Sequence, residues 1–158
     1  MNEILSRAAT RLRGELAELA RVAARIDEGW QRAQSSADDY YLDSVALNPH
    51  GFYSGLERIF VVIATVVDMS LPEGSQWHHR LLRQMTQEIP GVRPAVISAT
   101  TCALLDEYRG FCHVVRNVYA LELNPSRIAP LVKKIPALFA QVKAELLAMA
   151  ALLEQQAS

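Results

Sequence analysis

Residues 2–34, NEILSRAATRLRGELAELARVAARIDEGWQRAQ, carry apolar side chains at Leu5, Ala9, Leu12, Leu16, Leu19, Ala23, Ile26 and Trp30, in steps that alternate between four and three. Eleven charged residues lie off that seam. Steps of three and four fall on one stripe of a 3.6-residue helix, so the segment predicts a single long amphipathic helix. The stripe packs against the rest of its own chain in a bundle; the competing reading is a free coiled-coil arm.

Working outward, Ser36 and Asp38 are ready N-caps for a second helix that begins near Asp39. It kinks or restarts at Asn48-Pro49 and runs on to a stop at Leu71-Pro72-Glu73-Gly74. Its end is apolar nearly all round, the mark of a central helix. Ser75 caps a third helix, SQWHHRLLRQMTQEI, closed by Pro90-Gly91-Val92-Arg93-Pro94. A fourth runs from Ala95 or Ser98 to Leu121. A break at Asn124-Pro125 leads to a short helix from Ser126 and a last one from Pro136, placed as an N1 proline. No stretch alternates as a strand does, and no glycine-rich phosphate loop occurs. The expectation is an all-α, antiparallel up-and-down bundle of four to six helices in one domain, residues 1–158.

The chain's 158 residues, 51% of them apolar and 21% charged, suffice for one core and exclude a disordered or low-complexity protein. Lys and Arg total 16 against 17 Asp and Glu, which argues against holding nucleic acid by global charge. The balance is uneven along the chain. Residues 1–107 carry ten basic and fourteen acidic groups, whereas residues 108–144 set Arg109, Arg116, Arg127, Lys133, Lys134 and Lys143 against Glu122 alone. Phosphate contact, if any, belongs to that second region. Cys102 and Cys112 sit ten apart on one predicted helix and cannot reach each other. The start MNEILSRAATRLRGE has no unbroken apolar run, and the longest elsewhere, Ile59–Val67, is nine residues interrupted by Thr65. These features predict a cytoplasmic protein with no membrane anchor.

The fourth helix holds the chemistry. At 100° per residue, Ile97, Leu104, Tyr108, Phe111, Val115 and Val118 fall in a sector about 80° wide, the predicted core face. Asp106, Arg109, His113, Arg116 and Asn117 fill another sector of about 100°, flanked by Cys112 and Tyr119. Solvation alone accounts for many such polar stripes. This one also suits a phosphodiester, because arginines offer planar charge-assisted donors and a neutral imidazole takes or gives a proton.

Three stretches, YLDSVALNPHGFYSGLERIF (41–60), EIPGVRPAVIS (88–98) and LDEYRGFCHVVRNVYALELNP (105–125), together with the basic last segment, resemble HepT-like proteins of the HEPN superfamily. The likeness covers residues 41–154. It implies a helical-bundle homodimer encoded beside a minimal nucleotidyltransferase, the antitoxin of a toxin–antitoxin pair. In active members it implies a metal-independent RNase that cuts RNA at the dimer cleft. The family signature is an arginine, a polar residue, three more positions, a histidine, any residue and a tyrosine. On residues 112–119, CHVVRNVY, the resemblance makes Tyr119 the adenylylation acceptor and His113 the polar position. Cys112 stands in place of the arginine and Asn117 in place of the histidine. No arginine lies five to seven residues before His50, His78, His79 or His113, so no other register restores the signature.

Asparagine is no proton-transfer base near neutral pH, and losing general acid or base help typically costs 10²–10⁴ in rate. Cysteine offers no fixed cationic fork to a phosphorane. Rescue requires His113 as base with Arg116 or Arg109 as the electrostatic group. The expected site is therefore His113, Arg116, Arg109 and Asn117 for catalysis, with Arg109, Arg116, Lys133 and Lys134 contacting RNA, tRNA or mRNA. The competing readings are a non-catalytic partner or substrate-binding subunit of the nucleotidyltransferase, and a purely structural dimerisation bundle.

Other features have plainer readings. Trp77-His78-His79-Arg80 lacks the i, i+4 spacing and nearby carboxylate of a zinc site and reads as a half-exposed helix surface. Asp38-Asp39 before Tyr40-Tyr41 reads as a capped helix start. Lys133-Lys134 either meets RNA phosphates or an acidic partner surface, or is solvated near a helix end, where cations are favoured. Cys112 is either a thiolate stabilised by Arg109, Arg116 and His113 or a buried, inert thiol. Neither a cofactor nor a metal is expected.

Overall fold

The structure, a computed structural model, describes residues 2–36, 39–117 and 125–158, with side chains described outside 2, 36, 39–50, 114–117, 125 and 127. Five helices make up the bundle: α1 (Asn2–Ser36), α2 (Asp39–Val62), α3 (Trp77–Met85), α4 (Ala99–Asn117) and α5 (Pro125–Ala157). A π-helical turn, Ile63–Val67, extends α2.

The quoted N-terminal stretch is one helix of 35 residues, about 52 Å long at 1.5 Å per residue. Leu12, Leu16, Leu19, Ile26 and Trp30 of its predicted stripe are buried. That stripe packs along α5 on one side and α2 on the other. Arg13 pairs with Glu154 at 2.6 Å, which sets the start of α1 beside the end of α5. Where α1 crosses α2, Gly55 permits close approach: a Cβ there would stand 2.5 Å from Leu19 Cδ2. The central helix is α2, as its all-round apolarity predicts, with Phe52, Leu56, Ile59, Phe60 and Ile63 fully enclosed. The Phe52 ring meets Tyr108 of α4 edge-on at 6.2 Å and Phe139 of α5 at 5.7 Å.

Helix α2 passes through Asn48-Pro49 without restarting and ends earlier than expected. Asp68 N–H bonds to Ile63 O at 3.0 Å, the i−5 pairing of the π turn, and Met69 stops the helix in the left-handed region (φ 53°). Helix α3 is shorter than SQWHHRLLRQMTQEI, and Gln76, not Ser75, stands at its N-cap. Beyond it, Pro90 and Gly91 (φ 79°) form a type II turn closed by Val92 N–H to Ile89 O at 2.9 Å. The turn aims Arg93 inward. Its guanidinium meets Asp68 through Nε–Oδ1 at 2.5 Å and Nη2–Oδ2 at 2.6 Å, both side chains fully buried (0% exposed). The carbonyls of Gln87, Pro94 and Gln84 accept the remaining donors at 2.7, 3.0 and 3.2 Å. This clasp ties the segments before and after α3 together. Ser98 then caps α4 by accepting Thr101 N–H at 3.1 Å.

Two expectations are corrected. Pro136 does not begin a helix; α5 is continuous over 33 residues with Pro130 and Pro136 inside it, and Pro125 holds the N1 position. Both interior prolines are exposed, while Leu131, Ile135, Leu138 and Val142 stay buried on the opposite face. Within α5, Ile128–Ala157 is long and apolar enough by length and composition to cross a membrane, with mean hydropathy 1.5. In the bundle its apolar seam, from Ile128 to Leu153, faces the core.

The second correction concerns α4. Its buried face is Thr101, Leu105, Tyr108 and Cys112, turned by about 70° from the predicted one. Leu104 and Phe111, expected in the core, are each 39% exposed. Leu105 and Tyr108 fill the space toward α2 and α5, and Thr101 and Cys112 beside them on the same face turn inward with them. The Thr101 hydroxyl is satisfied by Glu145 Oε1 at 2.5 Å and by Gln141 Nε2 at 2.7 Å from α5.

Candidate functional site

The polar face of α4 does not stand alone, because α3 lies against it. Arg109 Nη2 donates to His79 Nε2 at 2.8 Å and to Asp106 Oδ1 at 3.1 Å. His79 Nδ1 stands 3.1 Å from the same carboxylate oxygen. An imidazole that accepts a hydrogen bond at Nε2 carries its proton on Nδ1, the nitrogen facing Asp106. The three side chains thus form a closed set from two helices, about half exposed at His79 and Asp106 and 26% at Arg109.

Two unpaired polar atoms lie behind this set. Arg109 Nε and the Tyr53 hydroxyl are buried with no hydrogen-bond partner. Burial, aided by Glu57, pushes the Tyr53 hydroxyl well above a tyrosine's usual range, while Arg109 acts in the opposite direction. In front, a hollow of about 310 Å³ is lined by His79, Arg83, Thr86, Cys102 and Asp106, with Leu82, Ala99 and Ala103 as its apolar wall. Burial and Asp106 raise the Cys102 thiol, and Arg83 opposes them. Two larger hollows, of about 430 and 540 Å³, have mostly apolar linings without a histidine.

The expected residues divide. Arg109 joins the set above, and His113, one turn further along α4, is exposed. Cys112 is buried, and burial pushes its thiol up to about 12, so the thiolate reading is excluded near neutral pH. A guanidinium at this position would have to enter the core. Arg116 and Asn117 belong to α4 by backbone, but their side chains, like all of Tyr119, lie outside the described residues. Lys134 is bound within its own chain, 3.0 Å from Glu107 Oε1 and 4.4 Å over the Phe111 ring, while Lys133 is exposed. Both lysines sit inside the continuous α5, so the helix-end account of them does not hold.

Sequence reasoning set the His78-His79 pair aside for want of a carboxylate. The carboxylates come from other helices. His78 Nδ1 lies 2.6 Å from Glu57 of α2, and His79 faces Asp106 of α4. The two rings turn to opposite neighbours, so they do not converge on one point. Among the described residues no group of three or more His, Cys, Asp or Glu is arranged to hold a metal ion.

An all-helical bundle gathers a histidine of α3 with an arginine and a carboxylate of α4. The chain matches the HepT-like protein family over residues 44–153 and belongs to that family. No match is found among curated proteins or among solved structures.

Proposed function

We propose that this chain is the RNA-acting component of a cytoplasmic toxin–antitoxin pair and cleaves RNA without a metal on the polar face of α4. Family membership supports the HEPN-type, toxin-like character. The observation that carries the chemistry is Arg109, a fork-shaped cation 26% exposed, held beside an imidazole and one turn from His113. Phosphate binds the guanidinium, and His113 supplies proton transfer. Arg116, Asn117 and Lys133 extend the contact to the RNA, and Lys134 joins once released from Glu107. Leu104 and Phe111 leave an apolar flank on the side of α4 away from this face, which a second copy of the chain covers in a homodimer. The antitoxin is a minimal nucleotidyltransferase whose target is Tyr119.

Incubating the protein with tRNA in EDTA and resolving the products on a gel tests this reading. Cleavage should be lost in His113→Ala and kept in Cys112→Ala; unchanged cleavage in the first variant removes His113 from the chemistry. Addition of AMP to Tyr119, read by mass after mixing with the neighbouring gene's product and ATP, tests the partnership. The burial of Cys112, where the signature has its arginine, favours a second reading: a non-catalytic subunit that binds the nucleotidyltransferase or its substrate. In that case AMP addition or complex formation persists with no RNA cut.

A further inference from the structure

We propose that His79 of α3 is the general base of this site, so that the proton-transfer pair is His79 and His113, divided between two helices with Arg109 between them. The inference rests on the RNA-cleaving reading and assigns the half of the chemistry that the α4 stripe cannot supply. Transesterification of an RNA phosphodiester needs one group to take the 2′-hydroxyl proton and another to protonate the leaving 5′-oxygen. With asparagine at position 117, α4 offers one described imidazole, His113, for two tasks.

The second imidazole is already in place. His79 Nε2 accepts a hydrogen bond from Arg109, and its Nδ1 faces the Asp106 carboxylate, which fixes the ring's orientation. The other charged and titratable groups around it are Arg83 and Cys102 across the hollow, with Tyr53 and Glu57 from α2 behind Arg109. In the free protein Arg109 Nη2 occupies Nε2. A phosphodiester is an anion with two acceptor oxygens and competes for that guanidinium better than a neutral imidazole does, adding ion pairing and a bidentate fit to the hydrogen bond. Substrate binding therefore draws Arg109 onto the phosphate and frees Nε2. The hollow lined by Arg83, Thr86 and Cys102 takes the ribose and base next to the cut.

The step balances. His79 Nε2 removes the 2′-hydroxyl proton, the 2′-oxygen forms a bond to phosphorus, and the bond from phosphorus to the 5′-oxygen breaks. His113 delivers a proton to that oxygen. The products are a 2′,3′-cyclic phosphate and a 5′-hydroxyl, with Asp106 as a positioning residue.

The test uses a single-stranded 20-nucleotide RNA containing all four bases, in EDTA, with kcat and KM measured from pH 5 to 9 for the wild type, His79→Ala, His79→Gln, Asp106→Asn and His113→Ala. The wild type should give a bell-shaped profile and cyclic-phosphate ends. Both His79 variants should lose about 100-fold or more in kcat with little change in KM, and the acid limb of the bell should vanish. Asp106→Asn should lose about tenfold, and His113→Ala should lose the alkaline limb. Thermal unfolding of each variant reports whether it folds; His79 is half exposed, so its removal leaves the core intact. A wild type that cuts RNA while both His79 variants keep its rate, or lose rate with both limbs retained, overturns the role of His79 and leaves the RNA-cleaving reading standing. A wild type that cuts nothing overturns that reading and this inference together.

Discussion

Two arginine–aspartate pairs, built from the same groups, have opposite fates in this molecule. Arg93 and Asp68 are fully enclosed, and the guanidinium is bound by the carboxylate and three backbone carbonyls. Arg109 and Asp106 are partly open, share their bonds with an imidazole, and leave Arg109 Nε empty. A saturated, dry pair has nothing to offer a ligand and everything to lose if one partner goes. A half-wet, under-bonded pair contributes little to the fold and keeps its charge for something else. Bond saturation, more than the identity of the residues, separates a clasp from a site.

The comparison breaks hardest at the clasp. Arg93→Ala leaves Asp68 as an unpaired buried carboxylate and should cost about 3–5 kcal/mol, measured by urea unfolding. Arg109→Ala should change stability by no more than about 1 kcal/mol in the same assay, since partly exposed pairs are worth little, yet lower RNA cleavage about 100-fold. Equal losses of stability in the two variants would erase the distinction.

A third measurement separates the buried and open sides of α4 by pH. Cys112 ionises near 9.0 when unfolded and only at about 12 when folded, so the folded state keeps a proton that the unfolded chain releases. The stability this gives is complete below pH 9 and is lost as pH rises toward 12, by about 1 kcal/mol at pH 10. Tyr53 and Tyr108, both raised chiefly by burial, add to the loss in the same direction. Unfolding midpoints from pH 8 to 11 should fall for the wild type and fall less for Cys112→Ala. The smallest effect is expected at Met69, a non-glycine residue at positive φ. Met69→Gly relieves that conformation at some cost in unfolded-state entropy and should stabilise by less than about 1 kcal/mol in thermal melts.

Much of the fold was legible because α1 and α2 bury large apolar groups at regular helical intervals. On α4 an apolar stripe fixes the buried face only to within about a fifth of a turn, and the stripe set by Leu104 and Phe111 is displaced from the one that Leu105 and Cys112 bury with Tyr108. Leu104 and Phe111 looked like core, yet the space between α2 and α5 admits Thr101 and Cys112, with Glu145 and Gln141 satisfying the threonine. Pro136 looked like a helix start because its missing N–H is costly inside a helix, and only its exposed position on α5 removes that objection. The site was half legible. Arg109, His113 and Asp106 share one helix and could be placed by register. His79 meets Asp106 and Arg109 from 27 and 30 positions away, and Arg93 meets Asp68 across 25. No local pattern marks such pairs, since the turns between them decide which residues meet.

The pairing of α1 with α5 also bears on how the molecule comes into being. Arg13 finds Glu154 across 141 positions, so α1 relies for part of its cover on α5. Contacts that join sequence-distant segments slow folding and leave apolar surface waiting. During synthesis α1 meets α2 early but keeps its other flank bare until the final turns of α5 emerge. A growing chain thus leaves one flank of α1 uncovered until α5 has been made.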